Sequence, residues 1–399
     1  MMRETGSCPV IHTDYREDKP AFWHFGDLNE VRELGPVVWN SQGYWMITRY
    51  EEAKEALRMD DVFTNERVNA FDPDMEMRLL PQNLGGPAHT KLRAVLNHWF
   101  SPGMVKNLDE MSRRRCADLV GAVAPLGRCD LVADFGILYP TEVFLTIVGL
   151  PVSDGPVFVE WVEAIFGGFH GHDTDAASEA GAAVQAYFED AVTGREERPL
   201  DPATDFISYL LDARIDDDPI SHGDIVTICS TIMLAGLDTT RSAIGYVWEY
   251  LATHDDVRRR IINEPAIIPR AIEEFLRLYS LLIQDGRYVG KDVEFHGARM
   301  KQGEMVSVGL IPANRDPRKF ERPDEFYVDR GVNPHIAFGL GPHRCLGMHL
   351  ARRELQIALE EWHALIPDYR KAADVQLIER GGQLSLRELP LAWDFIGSA

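Results

Sequence analysis

Residues Phe338 to Gly347 read Phe-Gly-Leu-Gly-Pro-His-Arg-Cys-Leu-Gly and set Cys345 in a loop punctuated by Gly339, Gly341 and Gly347. Glycine permits backbone conformations and close approaches that a side chain blocks, so a flat cofactor can lie against such a loop. The thiolate form of cysteine is the metal ligand. After the loop, Leu350, Leu355, Ala358, Leu359 and Trp362 recur on one side and Arg352, Arg353, Glu354 and Glu360 on the other, which predicts an amphipathic helix over 346–363. Cys345 then stands at a helix N-terminus, where unpaired N–H groups and the positive dipole end favour anionic sulfur. Cys8, Cys116, Cys129 and Cys229 lack such surroundings and read as ordinary buried thiols.

A second set of reactive groups lies in Ala235-Gly-Leu-Asp-Thr-Thr240. The surrounding segment, 224–253, is predicted as a helix about 45 Å long at 1.5 Å per residue, with Ser221 and Asp224 offering a capping start. Ile225, Val226, Ile228, Ile232, Met233 and Leu234 leave no polar face in its first half, as in a helix through a protein's centre. An acid and a hydroxyl buried there need a reason. Asp238 and Thr239 either relay protons to a reacting group, or form a salt bridge and cap a kink. Gly236 weakens the helix locally, and the Thr239 hydroxyl can bond back to the Ala235 carbonyl.

Other pairs gain meaning only in company. Glu274 and Arg277, at i,i+3, share a helix face, as do His89 and Arg93 at i,i+4. His170-Gly-His172-Asp has a spacing that chance supplies easily, in a glycine-rich acidic stretch that reads as an exposed loop, not a metal site.

Taken together, these motifs resemble the cytochrome P450 family, whose Phe-Gly-x-Gly-x-His-x-Cys-x-Gly loop is matched at every fixed position. The final third is similar to the bacterial, soluble, camphor-hydroxylase-like group in Asp285-Gly-Arg287, Glu294-Phe-His-Gly297, Cys345 to Glu354 and Pro390 to Asp394. The resemblance implies that Cys345 is the axial ligand of haem b, that His89, Arg93, Arg287 and His343 seat its propionates, and that Asp238 and Thr239 deliver protons as O2 is reduced. It makes Glu274, Arg277 and Arg330 a structural ion network, with the segment 313–330 leading into the cysteine loop. One departure is Gly85-Gly-Pro-Ala before His89, where relatives often carry Asp-Pro-Pro. By position Phe71, Thr231, Leu234, Ala235, Thr239, Ile283 and Gln383 line a mostly apolar substrate pocket, which suits a compact hydrophobic molecule such as a terpenoid. The resemblance also places 166–199 in a lid over that pocket. Between Asn65 and Leu84 there is no tyrosine to anchor a ketone, so camphor itself is not the expected substrate.

The elements must bring these residues together. Of the 399 residues, 45% are hydrophobic, enough for a large core. Strands are predicted at 44–48, 289–296, 305–310 and 384–393. Helices are predicted at 50–59, 88–100, 104–124, 141–148, 157–166, 178–192, 205–213, 224–253, 256–263, 269–278 and 346–363. This is a mainly α fold with small β-sheets, in which the resemblance places haem between the long central helix and the cysteine-loop helix. Motifs spread from His89 to Arg330 converge on one cofactor, so 1–399 is expected to form a single interwoven domain.

Composition narrows the partners. A formal net charge of −22 excludes the basic footprint of a nucleic-acid binder and attraction to an anionic membrane. Residues 1–20 lack the apolar core of a signal peptide, no apolar run reaches the ~18 residues of a membrane span, and five cysteines without framework spacing fit a reducing compartment. A cytoplasmic monomer is the expectation. No flavin or nicotinamide fingerprint occurs, so two electrons are expected to come from NAD(P)H through a ferredoxin reductase and a ferredoxin. The ferredoxin would dock on the cysteine side near Arg113, Arg114, Arg115, Arg344, Arg352 and Arg353. A peroxide-driven peroxygenase and a non-catalytic haem sensor are the alternatives.

Overall fold

Short strands between residues 10 and 64 pair with strands between residues 285 and 308 across more than two hundred residues of sequence. The computed structural model describes residues 8–65, 78–169, 173–283, 285–372 and 376–394. The chain divides into two units, one built from residues 1–93, 270–346 and 378–384, the other from 94–269, 347–377 and 385–399.

In the first unit, a six-stranded sheet runs in the order Val10–Ile11, Val37–Asn40, Tyr44–Ile47, Met305–Val308, Asp285–Val289 and Phe63–Thr64. Met305 pairs in parallel with Tyr44 and antiparallel with Tyr288, which fixes Val306 opposite Trp45 on one side and Arg287 on the other. Trp45, Ile47, Phe63, Val289, Val306 and Val308 form the core of this unit with Leu57, Ile336 and the partly buried Leu340 of the cysteine loop. In place of the single strand predicted at 289–296, a strand Asp285–Val289 stops before Gly290, where a Cβ would meet Thr64 at 2.8 Å. A separate hairpin follows, Val293–Phe295 with Ala298–Met300, turning through His296 and Gly297 at φ 45° and 86°.

The helix Trp23–Leu34 of this unit was not predicted. Its N-terminus is satisfied from far along the chain: the Glu379 carboxylate accepts from the backbone N–H of Phe22 (2.9 Å) and His24 (3.1 Å) and also meets the His24 ring at 2.6 Å.

In the second unit the helix His222–Thr253 runs without interruption, capped by the Ser221 hydroxyl accepting from the Asp224 N–H at 3.2 Å. It packs against helices Leu138–Val148, Thr174–Glu197 and Met348–Leu365. The predicted helix 104–124 is two helices, Pro102–Asn107 and Asp109–Val123, because Ser101 caps the first and Leu108 ends it with an i→i+3 bond to Val105. The C-terminal strand signal resolves into Ser385–Leu386 and Pro390–Ala392, the latter paired with Arg128–Asp130 and Arg370–Lys371. No helix among the described residues is long and apolar enough to cross a membrane.

Candidate functional site

The cysteine loop is held by its own backbone. The Gly339 N–H donates to the Ile336 carbonyl (2.8 Å) and the Cys345 N–H to the Phe338 carbonyl (2.9 Å). Gly341 adopts φ 72°, and a Cβ there would stand 2.3 Å from the Leu57 carbonyl oxygen, so no other residue fits. Cys345 is exposed and in no disulfide. The helix after it begins at Met348, two residues later than predicted, with Gly347 as its N-cap. Cys345 therefore sits in the turn ahead of the helix and not on its first turn.

Two histidines and two arginines gather in this unit. The rings of His89 and His343 stack with centroids 3.9 Å apart. Arg93 donates to the Arg344 carbonyl at 2.8 Å. Arg287, 4% exposed, is held by Asp285 through a bidentate pair. Burial, followed by the charges of His89, Arg287 and Arg93, pushes the His343 ring down to about 3, and burial and Arg93 lower His89. His89 Nε2 and Arg93 Nε are buried without a hydrogen-bond partner. The helix carrying His89 and Arg93 starts at Gly86, so the unusual Gly-Gly-Pro-Ala still leads directly into it.

The expected ion network is complete. Glu274 accepts from Arg277 at 2.9 and 2.8 Å, from Arg330 at 3.1 Å, from the Tyr327 N–H at 3.0 Å and from Asn333 at 3.1 Å. Burial pushes the Glu274 carboxyl up, and its arginine partners more than offset that, keeping it below the usual range. Arg277 also donates to the carbonyls of Asn314 and Pro323, which ties the helix Ile268–Leu278 to the segment entering the cysteine loop.

On the long helix of the second unit, Asp238 is fully buried and paired with Arg241, which also meets Glu163 of helix Gly155–Phe169. The Thr239 hydroxyl donates to the Ala235 carbonyl at 2.8 Å. Sequence reasoning anticipated that back-bond, though not Arg241. Ala235 and Gly236 are exposed and Leu234 and Thr239 half-buried, a gap in a helix that is otherwise enclosed. Glu354, predicted on the polar face of its helix, is instead 4% exposed, with Thr240 Oγ1 3.5 Å away. Burial raises its carboxyl to about 8.

The remaining expectations fall unevenly. Thr231 is buried and bonds to the Thr227 carbonyl, Ile283 is wholly enclosed, and Gln383 pairs with Leu282 in an isolated bridge. Phe71, His170 and His172 lie outside the described residues, among which no cluster able to hold a bare metal ion occurs. Of the six arginines expected at a docking face, Arg113 pairs with Glu360 and Glu361, Arg353 with Asp109, and Arg352 donates to the Met348 carbonyl. An acidic chain supplies such partners readily. Arg352 and Arg353 line a surface groove of roughly 460 Å³ with Lys106, Asp109 and His349, while Arg114 and Arg344 are exposed.

These residues fit a haem. Orphaned N–H groups on His89 and Arg93, in a cluster whose cations depress one another, call for carboxylates, and a porphyrin carries two. The cysteine loop supplies a thiolate ligand on glycines that allow close approach. Known proteins agree. A probable cytochrome P450 127A1 from Sinorhizobium fredii is 33% identical over 91% of this chain and 88% of its own length. The mycinamicin IV hydroxylase/epoxidase of Micromonospora griseorubida is 29% identical over 92% and 95%. The crystal structure of CYP101J2 superposes with a TM-score of 0.88 at 27% identity, covering 99% of this chain and 100% of that one. Since the cytochrome P450 family model also matches residues 32–362, the fold, the cysteine loop and the comparisons agree that this chain belongs to the cytochrome P450 family of monooxygenases.

Proposed function

We propose that this P450 hydroxylates a compact apolar molecule with O2 and two electrons, delivered singly from NAD(P)H through a ferredoxin reductase and a ferredoxin. The observation that carries the cofactor assignment is the pair of buried, unpartnered donors His89 Nε2 and Arg93 Nε beside His343 and Arg287 in the unit that holds Cys345. Haem b with a thiolate ligand supplies oxygen activation and insertion of one oxygen atom into a C–H bond.

The protein's own residues do the rest. Cys345 would bind the iron, and the N–H groups of His89, Arg93, Arg287 and His343 would seat the propionates. Thr239, half-buried beside exposed Ala235 and Gly236, holds a water by its hydroxyl, and Asp238 passes protons toward it. Thr231, Leu234 and Ala235 of the long helix supply apolar or weakly polar walls that suit a terpenoid-like substrate better than a charged one. The groove at Arg352, in the unit that also carries the exposed Arg114, accepts an acidic ferredoxin. Residues 1–399 work as one catalytic domain, since the family match spans stretches of both units.

The test is a library of terpenoids and other small apolar molecules, screened for the low-spin to high-spin shift of the haem and then for turnover with ferredoxin, its reductase and NAD(P)H. Oxygenated product that requires the electron donors supports the reading. Efficient turnover with hydrogen peroxide alone points to a peroxygenase, and spin shifts without product under any donor point to a sensor.

A further inference from the structure

We propose that Asn65 is a further seat for a cofactor carboxylate, a neutral N–H donor added to the cation cluster. The proposal rests on the reading that His89, Arg93, Arg287 and His343 hold the haem propionates.

Asn65 directly follows the edge strand Phe63–Thr64 and is 4% exposed, yet neither Nδ2 nor Oδ1 has a hydrogen-bond partner among the described residues. A buried amide with both polar atoms unpaired is rare and costly. Its position gives the reason. The antiparallel register pairs Phe63 with Val289 and Thr64 with Tyr288, so the next step sets Asn65 across from Arg287. Residues directly opposite in such a pair project from the same face.

That face is where the cations collect. Arg287 lies on it, its charge bears on the His343 ring, and Asp285, its carboxylate partner, is two residues away on the same strand face. The Gly339 turn of the cysteine loop also approaches Asp285, whose Oδ2 would lie 3.6 Å from a Cβ built there. A carboxylate seated among these cations gives the Asn65 amide the acceptor it lacks. An amide suits the position because it donates a hydrogen bond without placing a further charge beside Arg287 and its partner Asp285. The segment before residue 66 showed no chemistry of its own in the sequence; only the unpaired amide and the strand register expose it.

The experiment measures haem loss from the full-length, haem-loaded protein to excess apomyoglobin, with the thermal midpoint of each apoprotein recorded alongside. Asn65→Ala is expected to speed haem loss roughly 10- to 100-fold, the loss of one hydrogen bond to a charged group. Asn65→Asp, nearly the same shape with a negative charge in place of the donor, is expected to speed it further, with the apoprotein midpoint little changed. Arg93→Ala serves as the control on the seat itself. If Arg93→Ala accelerates haem loss while both Asn65 variants release haem at the wild-type rate, Asn65 is no ligand and the cluster reading stands. If neither Arg93→Ala nor the Asn65 variants change the rate, the cluster is not the propionate seat and both readings fall. A lowered apoprotein midpoint with unchanged haem loss assigns Asn65 a purely structural role and overturns the proposal.

Discussion

The imidazole rings of His89 and His343 stack 3.9 Å apart, although one lies on a helix in the first quarter of the chain and the other in the cysteine loop more than two hundred residues later. Two stacked imidazoles among arginines cannot both carry a proton cheaply. That contact ties the proton balance of the apoprotein to the cofactor it receives.

The sign follows from the His343 value of about 3 against an ordinary value near ~6.5. Above ~6.5 neither the folded nor the unfolded ring is charged and the contribution to stability is complete. As pH falls below ~6.5 the unfolded chain takes up protons that the folded site refuses, so stability is lost down to about 3. Propionates relieve this by pairing with the cluster. Thermal midpoints of the apoprotein are therefore expected to fall more steeply between pH 6.5 and 4 than those of the haem-loaded protein, and His343→Ala is expected to flatten the apoprotein slope. Parallel slopes with and without haem would remove the propionates from this cluster.

Glu354 has the opposite sign. Its folded carboxyl keeps its proton up to about 8, whereas an unfolded glutamate loses it near ~4.3. The folded state binds the proton more tightly, so the contribution is complete below ~4.3 and is lost as pH rises through 8. Glu354→Gln, which keeps the size and a hydrogen-bonding group for Thr240, is expected to remove that part of the alkaline loss. Thermal midpoints measured from pH 5 to 9 on the two proteins check it, and identical curves would mean that Glu354 is ionised in the folded protein.

At Glu274 the effect is on stability alone. Glu274→Ala leaves Arg277, fully buried, and Arg330, nearly so, without their shared carboxylate. Breaking such a buried pair from one side costs about 3–5 kcal/mol. Denaturant unfolding of the apoprotein should show a loss of that size. A loss under about 1 kcal/mol would mean that Asn314, Pro323 and Glu325 carbonyls satisfy the arginine unaided.

How much of this was legible in the sequence depended on how local the cause was. The long helix could be read because Ser221 caps it and its first half is apolar all round. The cysteine loop could be read because glycines at Gly339 and Gly341 report backbone demands directly. Glu354 was misplaced because helical spacing alone cannot tell a solvated polar face from one covered by another helix. The helix Trp23–Leu34 escaped because its cap, Glu379, lies 355 residues from His24. Arg241 escaped for a different reason: its i,i+3 spacing from Asp238 was available, but its second partner, Glu163, is on another helix. Asp285 likewise stood beside Arg287 in a quoted motif without being read as its partner.

That Arg241 pair bears on the proton assignment. Asp238 is fully buried and ion-paired, so Asp238→Asn both removes a relay group and leaves Arg241 with Glu163 as its remaining carboxylate, beside the Ser385 hydroxyl. Its effect on rate mixes chemistry with structure. Thr239 separates them, because its hydroxyl bonds only within its own helix, to the Ala235 carbonyl at 2.8 Å. Thr239→Ala is expected to retain haem and substrate binding while raising the ratio of hydrogen peroxide to product roughly a hundredfold or more, the scale of a lost proton-transfer group. Thr239→Ser, which keeps the hydroxyl, should restore most of the coupling. Asp238→Asn should slow turnover by a similar factor with a larger solvent isotope effect. The ratio of product to NAD(P)H consumed, read with peroxide formation, distinguishes these cases. Unchanged coupling in Thr239→Ala together with an unchanged rate in Asp238→Asn would reduce the pair to a salt bridge and a helix-internal bond.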